Sequence, residues 1–271
     1  MRLRLEPYRR WFDDYTAGFL TGDPDRDLPL RVKIAHTHEV MANMALLAAS
    51  VGMDDQDRIL AELMGLLHDV GRFRQYREYG TFRDGISVNH ARVSVREVGR
   101  HRVLGGLPPR ARGELVFAVV HHNALALPER PDPRRMGFAR MLRDADKLDI
   151  WRVFGTCSSG QRALNATVDL DLAESPGYSP AVLERLRRGR MARLSDVRNR
   201  TDFKLLQVAW IYDLNLPAAF GLMLEQGHLA AISATLPQDP PLQAAVDRAF
   251  AYAAVRAAAT PSRSWPPAQR V

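Results

Sequence analysis

Seven candidate metal-binding residues of this chain each lie on or at the end of a predicted helix. They are His36, the adjacent pair His68 and Asp69, His90, the adjacent pair His121 and His122, and Asp146. Imidazole nitrogens and carboxylate oxygens bind first-row divalent metals, and such ligand sets recur in hydrolytic sites. A carboxylate has two oxygens and can bridge two metals, whereas the histidine beside it can bind only one. These residue types predict a metal centre.

Helices must position these side chains, because apolar residues recur at the i, i+3, i+4 spacing of one helical face in nearly every segment. Gly52 is predicted to end the second helix and Gly71 to follow the end of the third. The polar stretch Arg72 to Asn89 is predicted as a structured loop. No segment shows β alternation, so the predicted fold class is all-α. The predicted helices cover about residues 5–20, 32–50, 55–68, 89–100, 109–122 and 136–153, and a second helical region covers about 180–257.

Three segments together resemble the HD-domain metal-dependent phosphohydrolase superfamily. HTHEV begins at His36, LLHDVGRF contains His68 and Asp69, and ADKLD contains Asp146. The resemblance covers residues 30–155, roughly, and implies an HD-domain helical bundle with a C-terminal helical extension. It also implies that His36, the His68-Asp69 pair and Asp146 form one metal site.

The last of these ligands has two competitors nearby in the sequence. Asp144 and Asp149 are also carboxylates of the same segment. The superfamily places its ligand directly after an alanine, so the resemblance favours Asp146, which follows Ala145.

Superfamily members with two metals carry further histidines between the His-Asp pair and the last aspartate. His90, His121 and His122 lie in the matching interval, in NHA and VVHHN. The resemblance implies that Asp69 bridges to a second metal held by these histidines, with at least one of the adjacent pair as a ligand. The other could be a hydrogen-bonding neighbour or a solvated helix-end residue. We expect one or two divalent transition metals, with Mn, Fe, Co, Ni or Zn favoured over Mg.

Phosphate oxygens that the metals leave uncovered need a cationic partner. Four residues near the predicted ligands are candidates for substrate binding: Arg72, Arg83, Lys147 and Lys33. We place Asp69, Lys147 and Arg72 in the catalytic machinery. A solvated surface position is the alternative for each cation, and Lys147 is favoured because it directly follows the last ligand.

The expected activity is hydrolysis of a phosphomonoester or phosphodiester, in a nucleotide or another small phosphorylated metabolite, by a metal-activated water. Cyclic-dinucleotide members of the superfamily carry a Gly-Tyr-Pro signature soon after their paired histidines. This chain has NALALPERPD there, which argues against that substrate. Two alternatives remain open: an HD-type diiron oxygenase with a similar ligand set, and a nucleotide-sensing module without turnover.

The composition indicates an ordinary globular protein, with 46% hydrophobic and 25% charged residues. A single cysteine is typical of a reducing compartment. The first residues lack the apolar core of a signal peptide, and the apolar runs are too short for a bilayer, so we expect a cytoplasmic protein without membrane association. The net charge of +7 is dispersed, so nucleic acid is not an expected partner. A homo-oligomer is compatible with the sequence.

The sequence divides into three predicted regions. An HD domain with an N-terminal helix covers 1–160, a helical extension packed on it covers 161–257, and a disordered tail covers 258–271. The turn-rich segment SPGYSP separates the first two, and the tail is rich in Pro and Ser. In WIYDLNL, Trp210 and Tyr212 could cover the metal cleft or pack in a core, and their helical spacing favours the core.

Overall fold

The computed structural model of the chain describes residues 2–129, 132–157, 172, 175–259 and 265. These residues lie in helices or connect them, and none of them belongs to a β-strand. The predicted all-α fold class is therefore confirmed. Within these residues, no helix combines the length and the apolar character that crossing a membrane would require.

The chain divides into two compact units, Met1–Asp146 with Arg263–Val271, and Lys147–Ser262. The predicted boundary at residue 160 and most of the predicted tail lie outside the described residues. The helices are α1 (Glu6–Ala17), α2 (Pro24–Ser50), α3 (Asp55–Leu67), α4 (Val70–Tyr79), α5 (His90–Arg100), α6 (Pro109–His121), α7 (Pro133–Cys157), α8 (Pro180–Arg187), α9 (Arg200–Ala209), α10 (Pro217–Gln226), α11 (His228–Ser233) and α12 (Pro240–Ala257). Short 3₁₀ turns cover Asp84–Ile86, Leu194–Asp196 and Trp210–Asp213.

Helix α2 begins at Pro24, well before the predicted start near residue 32. The side chain of Asp23 accepts hydrogen bonds from the backbone N–H groups of Asp25 and Arg26, which caps the helix. Pro24 fits the first helical position, because the N–H that proline lacks has no partner within the helix there. The proline-rich segment therefore starts a helix, and a second proline, Pro29, lies inside it.

Helix α4 occupies much of the stretch that was predicted as a loop, and this part of the prediction is wrong. Gly71 does not end a helix but lies in the first turn of α4, which begins directly after Asp69. Arg74 and Glu78 form an ion pair at the i, i+4 spacing, 3.2 Å apart. The helix ends at Gly80, whose φ of 65° is left-handed and suits glycine.

Helices α2, α3 and α7 of the first unit lie close together beside the predicted ligands. A Cβ atom on Gly65 of α3 would lie 2.8 Å from Cα of Met41 on α2, so glycine permits this close crossing. The side-chain amide of Asn43 on α2 donates to the backbone carbonyl of Ala145 on α7, at 3.3 Å. These contacts hold together the three helices that carry or adjoin His36, the His68-Asp69 pair and Asp146.

A buried charged cluster joins α3, α6 and α7 of the first unit. The Arg134 guanidinium donates to both carboxylate oxygens of Asp57, at 2.7 and 2.6 Å, and to Glu114 at 3.0 Å. The indole N–H of Trp265 donates to Asp57 at 2.7 Å, and its ring lies against Phe138. Trp265 belongs to the segment predicted as a disordered tail, and it is the described residue of that segment with the most extensive contacts.

Replacing Arg134 with alanine should lower the free energy of unfolding by about 3–5 kcal/mol, because it leaves the buried carboxylate of Asp57 without its cation and Glu114 with Arg110 alone. Urea denaturation followed by circular dichroism measures the loss. Arg135→Ala is the matched control, since Arg135 is the neighbouring exposed arginine and should change stability by less than about 0.5 kcal/mol. Equal, small effects of both substitutions would contradict this account of the cluster.

The second unit has an aromatic core of its own. The indole N–H of buried Trp151 donates to the backbone carbonyl of Gln207 at 3.2 Å. Trp210 packs near Trp151, with ring centroids 6.4 Å apart. Ile211 is buried, and Tyr212 is half-buried. The segment WIYDLNL thus contributes to packing, as its helical spacing indicated.

Candidate metal centre

The first group of donor atoms comes from α2, the α3–α4 junction and α7. Nε2 of His36 is 3.7 Å from Oδ2 of Asp69, and Nε2 of His68 is also 3.7 Å from that oxygen. These three buried residues form a group that could hold a metal ion. Oδ1 of Asp146 lies 3.2 Å from Nε2 of His36 and 3.8 Å from Nε2 of His68. The four residues that the resemblance assigned to one site therefore lie together.

The second group uses the other oxygen of Asp69. Nε2 of His90, the first residue of α5, is 3.3 Å from Oδ1 of Asp69. Nε2 of His122, which follows α6, is 3.7 Å from the same oxygen. Asp69, His90 and His122 form a second buried group that could hold a metal ion. The two carboxylate oxygens of Asp69 thus face two different pairs of histidines.

Backbone carbonyls fix the ring orientation of two of these histidines. Nδ1 of His68 lies 2.7 Å from the carbonyl oxygen of Gly65, and Nδ1 of His122 lies 2.7 Å from that of Val119. A carbonyl only accepts, so Nδ1 must carry the proton in both rings. In a neutral ring this leaves a lone pair on Nε2, which points into the group. Both histidines are held in the tautomer that a metal requires.

The donor atoms fit a divalent cation. Nε2 of His90 and Nε2 of His122 face each other at 3.0 Å. Nε2 of His68 and Oδ1 of Asp69 are buried and have no hydrogen-bond partner among the described residues. Such groups are costly to bury unless a cation satisfies them. Ligands about 2.1 Å from a metal lie about 3.0–3.4 Å apart, close to the separations found within both groups.

Burial keeps the imidazoles of His68 and His90 neutral. It lowers the pKa of His68 to about 4 and the pKa of His90 to about 3. Burial alone would raise the pKa of Asp69, but the ammonium of Lys33 and other neighbours hold it well below its ordinary range. The pKa of Asp146 is also held well below its ordinary range, because His36 outweighs the effect of burial. Neutral histidines and ionised carboxylates are the forms that bind metals.

Only one member of the adjacent histidine pair enters the centre. His121 is the last residue of α6, and its Nδ1 lies 2.8 Å from the carbonyl oxygen of Phe117. Its ring packs against the Phe117 ring, with centroids 4.3 Å apart, and it belongs to neither group of donor atoms. His122 is the member that the structure brings to Asp69. Residues adjacent on a helix point about 100° apart, which separates the two side chains.

Two of the predicted substrate-binding cations lie beside the carboxylate of Asp69. Nζ of Lys33 is 2.8 Å from Oδ2 of Asp69, and Nε of Arg72 is 3.5 Å from Oδ1. Lys147 belongs to the second unit, where its Nζ lies 2.8 Å from Asp213. Arg83 is half-buried in the segment that follows α4. The structure thus places Lys33 and Arg72 beside Asp69.

Asp84 is a residue of this centre that the sequence analysis did not identify. Its carboxylate lies 2.7 and 2.8 Å from Nδ1 of His90, and it accepts from Arg72 and from Gln75, both at 3.0 Å. An aspartate six residues before a histidine in a polar loop carries no distinctive spacing. The asparagine-histidine pair after the loop, with Asn89 capping α5, was the nearest available signal.

Gly71 lets α4 and α5 approach each other at the centre. A Cβ atom at Gly71 would lie 2.4 Å from the carbonyl oxygen of His90 and 2.5 Å from the backbone nitrogen of Ser94. The Gly71 N–H donates to the Ser94 hydroxyl at 2.8 Å. The glycine after the His-Asp pair is thus explained by close packing, which brings His90 to Asp69.

Gly71→Ala should lower the free energy of unfolding by about 1–3 kcal/mol, because the new methyl group meets the α5 backbone rather than a flexible side chain. It should also weaken binding of one of two metals, since His90 must shift with α5. Thermal denaturation and metal titration measure both effects. Gly99→Ala, at an exposed α5 position with open space, is the control and should not destabilise the protein. A fully stable Gly71→Ala variant would show that α5 lies farther away.

Comparison with known proteins identifies one family. Residues 34–151 match the family model that is described as the HD domain, and this match spans every residue of the two groups of donor atoms. Searches of curated proteins and of solved structures found no match.

Proposed function

We propose that this chain, which carries an HD domain over residues 34–151, is a metal-dependent phosphohydrolase with a binuclear centre. Its substrate in this proposal is a phosphomonoester or phosphodiester, in a nucleotide or another small phosphorylated metabolite. One observation carries the proposal above all others: the two oxygens of Asp69 face two separate pairs of buried histidine nitrogens. A bridging carboxylate of this kind is what two adjacent metals require.

The ligand chemistry favours transition metals over magnesium. Each group contains two imidazoles, which suit Zn, Fe, Mn, Co or Ni, whereas Mg²⁺ prefers oxygen ligands and water. When bound, two such metals supply a hydroxide at neutral pH and Lewis-acid stabilisation of the phosphoryl oxygens.

The chain's own side chains would orient the substrate at this centre. The Lys33 ammonium and the Arg72 guanidinium both lie beside Asp69, so positive charge is concentrated where a phosphate group would enter. Lys33 is 18% exposed and Arg72 is 15% exposed, so both retain some access to solvent. In this proposal Lys33 and Arg72 donate to phosphate oxygens. The hydrogen bonds from Nδ1 of His68 and of His122 to backbone carbonyls keep the Nε2 atoms of both rings directed toward the metals.

Lys147 and Arg83 remain proposed substrate-binding residues on sequence grounds. Lys147 directly follows Asp146, and its contact with Asp213 restrains its ammonium group. Arg83 precedes Asp84, which contacts His90. Alanine variants at Lys33, Arg72, Arg83 and Lys147, compared through KM and kcat, would rank the four.

The test is turnover by metal-loaded protein. The protein is reconstituted with Mn²⁺, Zn²⁺, Co²⁺ or Fe²⁺ and assayed anaerobically with p-nitrophenyl phosphate, bis-p-nitrophenyl phosphate and a panel of nucleotides. Release of phosphate or nitrophenol that depends on metal supports the proposal. In a parallel aerobic assay, oxygen consumption by the iron form without hydrolysis would instead indicate an oxygenase. Tight nucleotide binding without product over hours would indicate a sensing module.

A further inference from the structure

Asp84 contacts the side chain of His90 and, through Asn123 and Arg72, is connected to the segment of His122 and to Asp69. We propose that Asp84 is a positioning residue that holds Asp69, His90 and His122 ready for the second metal. Losing it should weaken metal binding at that group and leave the first group intact. This inference rests on the binuclear centre that is proposed above.

The first contact fixes the ring of His90. Both oxygens of Asp84 lie within 2.8 Å of Nδ1 of His90, and the backbone N–H of His90 points to Oδ2 of Asp84 at 3.4 Å. An ionised carboxylate only accepts, so it selects the tautomer with the proton on Nδ1 and a lone pair on Nε2. That Nε2 atom is the one that lies 3.3 Å from Asp69. Carboxylates that orient metal-binding histidines in this way also raise their basicity.

The second contact reaches the segment that carries His122. The side-chain amide of Asn123 donates to Oδ2 of Asp84 at 3.0 Å. Asn123 directly follows His122, so one carboxylate connects the segments of both histidines in the second group. His90 and His122 are 32 positions apart in the sequence, and their Nε2 atoms are only 3.0 Å apart. A common anchor explains how these two nitrogens remain so close.

The third contact reaches the bridging carboxylate through a cation. Nη1 of Arg72 donates to Asp84 at 3.0 Å, while Nε of the same side chain lies 3.5 Å from Oδ1 of Asp69. Oδ1 is the oxygen of Asp69 that faces the second group. Asp84 therefore has a direct or one-residue connection to every member of that group.

Other contacts hold the first group in place. His68 is oriented by the carbonyl of Gly65, and the helix that carries Asp146 is held to α2 by the hydrogen bond from Asn43 to Ala145. Neither contact involves Asp84. Because the two groups are held by different contacts, substitution of Asp84 should weaken metal binding at the second group and leave metal binding at the first group unchanged.

The experiment is a Mn²⁺ and Zn²⁺ titration of metal-free wild-type, Asp84→Ala and Asp84→Asn proteins, followed by calorimetry. Asp84→Ala should weaken the second binding event by about 10- to 100-fold and leave the first unchanged. Asp84→Asn should be less affected, because its amide oxygen can still accept from Nδ1. Nitrogen-15 NMR of the metal-free protein adds a structural readout, in which His90 should show protonated Nδ1 in the wild type and mixed tautomers in Asp84→Ala.

Glu97→Gln is the matched control. Glu97 is a buried carboxylate on the same helix as His90, and it accepts from Tyr15 and Arg74 rather than from a metal-binding residue. The Glu97→Gln variant should bind two metals like the wild type. Two metals at wild-type affinity in a folded Asp84→Ala variant would overturn the inference, and so would equal weakening of both metals. A wild-type protein that binds one metal would contradict the binuclear centre itself, which is a distinct result.

Discussion

Asp69→Ala is expected to abolish metal loading and to reduce turnover by about 10³-fold or more. Asp69 is the residue that both groups of donor atoms share, so its loss removes one ligand from each. Metal-based stabilisation of the transition state amounts to several kcal/mol, and each 1.36 kcal/mol corresponds to a factor of ten in rate. Metal analysis of the purified variant and steady-state kinetics with the best substrate measure the two effects.

Removing Asp69 also deprives two cations of their partner, so the fold of the variant must be checked. Lys33 and Arg72 both lie beside this carboxylate. Asp69→Asn preserves the shape of the side chain and removes only its charge, and a native circular dichroism spectrum would exclude unfolding as the cause. Retained activity and metal content in either folded variant would contradict the role of Asp69 as the bridge.

His122→Gln should lose one of two metals, whereas His121→Gln should keep both. Nε2 of His122 faces Asp69 at 3.7 Å, while His121 packs on Phe117 outside both groups. Loss of a direct ligand should weaken binding of the second metal by more than 10- to 100-fold. That range is typical for loss of a residue that only hydrogen-bonds to a ligand. The adjacent pair offers a comparison in which the residue type and the local segment are the same. Metal titration of each variant measures the difference.

Activity should follow metal content in this comparison. His121→Gln is expected to hydrolyse the substrate at close to the wild-type rate, and His122→Gln at a small fraction of it. The reverse order, with His121 needed for the second metal, would show that the end of α6 is arranged differently. Equal effects of both substitutions would indicate that the pair acts through the stability of α6.

The residues of the first group could be proposed from the sequence because each of them lies in a recognisable segment. His36, the His68-Asp69 pair and Asp146 follow patterns of neighbouring residues that are independent of the loops between them. Regular helices then bring the segments together. Asp84 could not be found this way, because its contact with His90 depends on how the residues after Gly80 fold back. No helical period describes such a turn.

The choice between His121 and His122 required the structure for a similar reason. Both residues lie at the end of a predicted helix, and only the orientation of α6 decides which of them faces Asp69. The same limit applies to Gly71. The third helix ends beside the His-Asp pair, as predicted, but Gly71 lies in the next helix, and the structure explains this glycine by the approach of α5. A sequence shows that glycine is required without showing what comes close to it.

The start of α2 was predicted too late because of the prolines that precede residue 32. The segment from Thr21 to Pro29 contains two prolines and several aspartates, which is the composition of a turn. Asp23 and Pro24 use the same chemistry to start a helix, so α2 begins before the predicted start near residue 32. Lys33 and His36, one turn apart, therefore lie inside a longer helix than predicted and not in its first turn.

The most direct test of the binuclear centre is the metal content of the wild-type protein after reconstitution. Metal-free protein is incubated with Mn²⁺ or Zn²⁺, desalted, and measured by inductively coupled plasma mass spectrometry against protein concentration. We expect close to two metals per chain, because Asp69 presents one oxygen to each pair of histidines. One metal per chain would contradict the bridging role of Asp69, and none would show that these buried histidines and carboxylates serve only the fold.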